Sequence, residues 1–222
     1  MKRILCFIFL LVMTAPASGA EMTPQELVQN IELGLSKIDD LRFTYMLCYR
    51  PRGTDRSAMT TLIKSTYWYK KPGLGKEDSI YKYLPGHPKH HHFFKLDGDH
   101  YYSYEVLANG SVTKTIYPAQ EWDASGATPA YLYVKIKERM ANHIPASVEY
   151  NASINVYTLK FDAPDQATFE VLKESWLPSA LTVWDEKNNA FVKILWANIT
   201  INPGLPEDFF KVPNEDKATV RN

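Results

Sequence analysis

Thr23-Pro24-Gln25-Glu26-Leu27-Val28-Gln29-Asn30-Ile31-Glu32-Leu33-Gly34-Leu35-Ser36-Lys37-Ile38-Asp39-Asp40-Leu41-Arg42-Phe43-Thr44-Tyr45-Met46-Leu47-Cys48-Tyr49 changes its hydrophobic period partway along. Thr23 is an N-cap residue, Pro24 takes the first helical position, and Glu26 is placed to close a capping box. Leu27, Val28, Ile31, Leu35 and Ile38 then fall on one helical face, and Asp39-Asp40 ends the helix. From Leu41 the period drops to two. Leu41, Phe43, Tyr45, Leu47 and Tyr49 alternate with Arg42, Thr44, Met46 and Cys48, the pattern of a strand with one buried face. An amphipathic helix thus feeds directly into a strand, and its stripe needs an apolar surface to lie on.

The chain beyond Tyr49 is mostly strand. Met59–Lys71 carries the strand-favouring Ser65-Thr66-Tyr67-Trp68-Tyr69 and stops at Pro72-Gly73. Shorter strands are expected at Ser79–Leu84, His91–Leu96, His100–Leu107 and Ser111–Tyr117, the last three separated by Asp97-Gly98-Asp99 and Asn109-Gly110 turns. A weaker helix is expected from about Pro129 to Met140. Further strands read at Ser147–Asn151, Asn155–Phe161, Thr168–Lys173, Ala180–Asp185 and Ala190–Ile201, the last pair joined at Lys187-Asn188-Asn189. Asn214–Asn222 reads as a loose polar tail. Hairpin connections without βαβ alternation predict a mainly β (α+β) domain with an antiparallel sheet of about ten to eleven strands. A sheet of that size tends to curl, and a helix can cover its concave side.

Upstream of the helix, Lys2 and Arg3 precede an apolar run from Ile4 to Met13, and Ser18-x-Ala20 comes after it. This is the pattern of a secretory signal peptide, with cleavage expected near Ala20 and export of the remainder. The run is too short to span a bilayer, and no second apolar span succeeds it, so no integral membrane segment is expected. Lys2 and Arg3 leave with the leader, so 23 basic side chains face 25 acidic ones. That balance gives no electrostatic reason to expect nucleic acid as a partner. Cys6 leaves too; Cys48 alone cannot form an internal disulfide and reads as a small buried or inert thiol.

Motifs that carry chemistry are mostly missing. There is no G-x-S-x-G, no H-E-x-x-H and no cysteine pair, so the chain does not read as an enzyme, and no cofactor is implied. Gly73-Leu74-Gly75-Lys76 has the wrong glycine spacing for a phosphate loop and opens no helix. His87 and His90-His91-His92 form the one metal-like group. His90 and His92 would share a strand face, but no Cys, Asp or Glu lies in the same segment, and the segment reads as a solvated basic stretch with no metal. Asn109, Asn151 and Asn198 each begin an N-x-[ST] sequon. The aromatic content says more: 14 Tyr, 10 Phe and 5 Trp make 13% of the chain. Many fall on alternating strand positions, which fits either an ordinary β-core or a concave aromatic surface under the helix, able to hold an apolar ligand.

Several segments resemble the periplasmic outer-membrane lipoprotein carrier family, LolA. Met22-Thr23-Pro24-Gln25-Glu26-Leu27 through Lys37-Ile38-Asp39-Asp40-Leu41 is similar to its opening helix and first strand. Trp68-Tyr69-Lys70-Lys71-Pro72 resembles its W-x-K-R-P segment, and Leu96-Asp97-Gly98-Asp99 through Tyr104 its D-G-x-x-x-[WY]-x-Y strand pair. Gly126-Ala127-Thr128-Pro129 with Leu132 is similar to the G-x-T-P-x-x-L lid region. Asn198-Ile199-Thr200-Ile201-Asn202, with Phe209-Phe210 and Pro213, resembles the closing N-x-x-[IV]-[ND]…F…P pattern. The pieces appear in family order over nearly the whole mature chain.

The resemblance implies a half-open antiparallel β-barrel with a helical lid over an apolar cavity. It divides the chain into a signal peptide (1–20), one lipid-binding domain (21–213) and a polar tail (214–222). The expected function is a monomeric periplasmic carrier. It would take lipoprotein acyl chains from an inner-membrane release complex and deliver them to an outer-membrane acceptor. The alternative on the same scaffold is an envelope sensor of lipid or lipoprotein that signals through a protein partner. Leu27, Ile31 and Leu35 from the helix are expected to line the cavity with Phe43, Tyr45, Leu47, Tyr67 and Tyr69 from strands. Tyr131 and Leu132 are expected in a second lid element. Lys71 stands where the family's arginine tethers the lid, and it offers a point charge in place of a planar fork.

Overall fold

The computed structural model describes residues 22–50, 59–81, 90–125, 128–162, 166–184 and 190–221. The expected leader, the loop after Arg50, His87, Gly126-Ala127 and the Lys187-Asn188-Asn189 turn lie outside the described residues. The first helix, α1, runs Pro24–Ser36 with the expected capping box. The Thr23 hydroxyl accepts from the Glu26 amide at 3.2 Å, and the Thr23 amide donates back to the Glu26 carboxylate at 2.8 Å.

The strands are β1 (Asp40–Tyr49), β2 (Thr60–Lys70), β3 (Leu74–Tyr81), β4 (His90–Asp97), β5 (His100–Val106) and β6 (Val112–Pro118). A 3-10 turn at Ala119–Ala124 leads towards the second helix, α2 (Tyr131–Asn142). Then come β7 (Ser147–Asn151), β8 (Val156–Phe161), β9 (Ala167–Leu172), β10 (Pro178–Trp184), β11 (Ala190–Ile201) and β12 (Thr219–Arg221). Together they form one 12-stranded sheet in the order β12-β6-β5-β4-β3-β2-β1-β11-β10-β9-β8-β7, which does not close on itself. Every pairing is antiparallel except β12 on β6. The architecture is that of a half-open β-barrel with helices on its inner face.

The twelfth strand corrects the sequence reading. The tail does not stay loose: Thr219–Arg221 adds a parallel edge strand to β6. Just before it, the Tyr104 hydroxyl donates to Glu215 at 2.8 Å. Val212 and Ala218 cover Phe93, Tyr104 and Val112 on the outer face. Upstream, Phe209 sits edge-on to Trp68 with ring centroids 5.4 Å apart. The C-terminal segment therefore shields an aromatic stripe that would otherwise face water.

Two connected cores fill the inner side. One gathers Phe43, Tyr67, Tyr69, Tyr101, Trp122, Leu132 and Trp196. The other gathers Leu27 and Ile31 of α1 and Ile136 of α2 over Leu159, Phe161, Phe169 and Val171. Leu35 and Leu181 pack against both. Gly34 lets α1 come down onto the β9–β10 turn, where a Cβ would meet the Ser175 carbonyl oxygen at 2.5 Å and the Trp176 Cβ at 2.9 Å. Gly34→Ala is therefore expected to cost about 1–3 kcal/mol in urea unfolding, although alanine is the better helix former.

Gly73 and Gly75 have a similar explanation. A Cβ on Gly75 would press on Phe94 at 3.2 Å, and one on Gly73 would collide with the Leu96 side chain. These glycines serve strand packing.

Candidate functional site between the helices

Period two places Leu41, Phe43, Tyr45 and Leu47 of β1 on the inner face beside Tyr67 and Tyr69 of β2. Phe43 is fully buried, stacked on Tyr67 at 5.3 Å and tilted against Trp196 at 4.5 Å. Tyr101 stacks on Tyr117 at 4.7 Å and leans on Trp122 at 5.7 Å. Burial, with the Asp123 charge adding to it, pushes the Tyr69 hydroxyl up to about 12, so it stays protonated at any physiological pH.

α1 and α2 lie over this aromatic floor, and a pocket of about 610 Å³ opens where they meet the 3-10 turn. Leu35, Ala130, Tyr133 and Val134 supply apolar wall, while Glu32, Lys71, Asp123 and Lys137 ring the opening. That volume falls within the range of about 300–1,000 Å³ common for small-molecule sites.

The mouth is crossed by polar straps. The Tyr133 hydroxyl donates to Glu32, which ties α2 to α1; burial first, and then this bond and the Glu32 charge, raise the hydroxyl's pKa. Lys137 approaches the same Glu32 carboxylate at 3.9 Å. The Lys71 ammonium donates to the Ser36 carbonyl at 2.8 Å, at the C-terminal end of α1 where a cation meets the negative end of the helix dipole. A single-donor contact to one carbonyl suits a lysine, and it ties the end of β2 to α1.

The expected lining residues divide. Phe43, Tyr67, Tyr69 and Leu132 sit in the aromatic core, with Tyr45, Leu47 and Tyr131 packed against it. Leu27 and Ile31 face β8 and β9 instead, because α1 crosses from that half of the sheet to the β1–β2 half. Leu35 and Lys71 border the pocket itself. Sequence reasoning did not identify Glu32, Asp123, Tyr133, Val134 or Lys137. Tyr133, Val134 and Lys137 belong to a helix whose N-cap is Ala130, with no side-chain capping bond to announce it.

The inner face turns polar towards the end of the sheet away from Lys71. Ser65, Glu77 and Ser79 are buried there, and Arg50 is fully buried. His90 and His92 point into the same face and are half-buried, which corrects their reading as a solvated stretch. Burial holds the His92 imidazole below its ordinary range, against the pull of Glu77 and Glu105. His90 Nδ1 lies 2.9 Å from Glu105, a carboxylate supplied by the neighbouring strand.

No protein-family model and no curated protein matches the chain. Solved structures do match. An uncharacterized conserved protein from Thermus thermophilus aligns at 12% identity and a TM-score of 0.54 over 90% of this chain and all of that one. A LolA superfamily protein from Nitrosomonas europaea aligns at 7% identity and a TM-score of 0.39, over 86% and 98% of the two chains. A chain of the Pseudomonas aeruginosa MucA/MucB complex aligns at 12% identity and a TM-score of 0.42, over 83% and 60%. The first supports the fold; the other two, with TM-scores under 0.5, add no argument to it. Among the described residues no helix is long and apolar enough to cross a membrane.

Proposed function

We propose that this chain is an exported, periplasmic binding protein that takes up lipoprotein acyl chains between α1 and α2 and carries them between membranes. The observation that carries the reading is the 610 Å³ pocket between two helices, whose Leu35 wall packs against the aromatic core. The motifs resembling the lipoprotein carrier family, spread in order along the chain, agree with it. Transfer of an acyl chain from water is worth about 0.8 kcal/mol per CH₂, so a sixteen-carbon chain brings on the order of 12 kcal/mol. The straps across the mouth are exposed polar contacts, each worth at most about 1 kcal/mol. An entering chain therefore has ample free energy to part the helices, and no covalent chemistry is needed to drive it.

The test is direct. Purified protein should bind a synthetic triacylated lipopeptide and change the emission of the buried Trp122 and Trp196. Val134→Glu puts a charge on the pocket wall and should weaken that binding at least tenfold, about 1.4 kcal/mol, with the melting temperature nearly unchanged. Equal binding by wild type and variant, or none by either, would sink the carrier reading. Isolation from the envelope in a stable complex with a signalling protein and no lipid would favour the sensor instead. Ester turnover would point to an enzyme.

A further inference from the structure

We propose that His90, His92 and Glu105 form a binding site for a divalent transition-metal cation of the Zn²⁺ class. His90 and His92 are two residues apart on β4, so both imidazoles project from the inner face, with ring centroids 6.1 Å apart. The β4–β5 register sets Glu105 directly opposite His92. One ligand atom from each of the three lies within 4.8 Å of the others, and His90 Nδ1 is 2.9 Å from Glu105 Oε1. A tetrahedral zinc with bonds of roughly 2.0–2.2 Å needs ligand atoms about 3.4 Å apart, so small side-chain rotations complete the geometry.

Two imidazoles and one carboxylate are a donor set for borderline cations, unlike the all-oxygen shells of Ca²⁺ and Mg²⁺. Three protein ligands leave a fourth position for water or a ligand atom.

The surroundings favour a cation over a simple His–Glu hydrogen bond. Glu105 Oε2 accepts from Arg221 Nη1 at 3.3 Å, so β12 orients the carboxylate from behind and leaves Oε1 towards the imidazoles. A buried carboxylate, Glu77, is the register partner of His92 on its other side and supplies a second negative charge. A hydrogen-bonded pair linking β4 to β5 would need neither His92 nor Glu77. The site lies on the same inner face as the proposed acyl-chain pocket, and its test does not depend on that pocket.

His91 provides an internal control: it points to the outer face, where its Nδ1 lies 2.7 Å from Asp78. Protein purified without a polyhistidine tag and stripped by chelator should take up one Zn²⁺ per chain in competition with a chromophoric chelator. Its melting temperature should rise with Zn²⁺, and Co²⁺ should give the visible d–d band of a tetrahedral site. His92→Gln and Glu105→Gln should each weaken Zn²⁺ binding at least tenfold, while His91→Gln leaves it unchanged. No stoichiometric uptake by the wild type, or equal losses from His91→Gln and His92→Gln, would overturn the site. Should a variant fail to fold, the Co²⁺ band of the wild type decides alone, and its absence refutes the proposal.

Discussion

Phe43→Ala should lower the stability of the fold by about 4 kcal/mol, which for a domain of this size shifts the melting temperature down by roughly 8–16 °C. Phe43 has no exposed surface, and its ring is held between Tyr67 and Trp196. Removing it forfeits the transfer free energy of a large aromatic side chain and leaves a hole that rigid neighbouring rings cannot close. The preceding residue on the strand sets the scale of the effect. Arg42 is exposed, and Arg42→Ala should stay within about 0.5 kcal/mol. The Phe43 hole also enlarges the apolar space under the helices. Triacylated lipopeptide should therefore raise the melting temperature of the variant more than that of the wild type. Equal ligand-induced shifts in the two proteins would separate this core from the acyl-chain path.

That contrast between Phe43 and Arg42 also shows why the aromatic floor was legible in the sequence. Alternation is local, and one buried face fixes which residues point inward. The α1 capping box was legible for the same reason: donor and acceptor lie three residues apart. The pocket wall was less so. Tyr133 and Glu32 come from helices about a hundred residues apart in sequence, and nothing in either segment names its partner.

The Glu105 contact lies between these cases. The Asp97-Gly98-Asp99 turn pairs Asp97 with His100, and counting outward along the hairpin places Glu105 opposite His92. The signal resides in the hairpin register, across the strand pair from the histidines, and not in the histidine segment itself. The tail carried no comparable signal, because the parallel pairing of β12 with β6 depends on a chain path around the outer face.

Asp40→Ala should cost about 4 kcal/mol, roughly 2 for each of two backbone hydrogen bonds to a charged carboxylate. Asp40 is buried at the corner between α1 and β1, and its carboxylate accepts from the amides of Gly204 at 3.1 Å and Leu205 at 2.9 Å. Asn202 locks the same corner from the other side. It sits in the left-handed region at φ 51°, where asparagine is tolerated. Its side-chain oxygen accepts from the Asp39 amide at 2.8 Å, and its Nδ2 donates to the Lys37 carbonyl at 3.1 Å. The sequence offers two adjacent aspartates that look equivalent as helix terminators. The fold makes them unequal: Asp39 is exposed, and Asp39→Ala should fall within about 0.5 kcal/mol. Asp40→Asn keeps one acceptor oxygen and should lose about half as much as alanine.

The corner also fixes where α1 ends, and therefore where the Ser36 carbonyl meets Lys71 at the pocket mouth. Asp40→Ala should weaken lipopeptide binding as well as stability, whereas Phe43→Ala should weaken stability and leave lipopeptide binding at least as tight. Urea unfolding and lipopeptide titration of the two variants side by side distinguish a corner that shapes the pocket from one that only holds the sheet together.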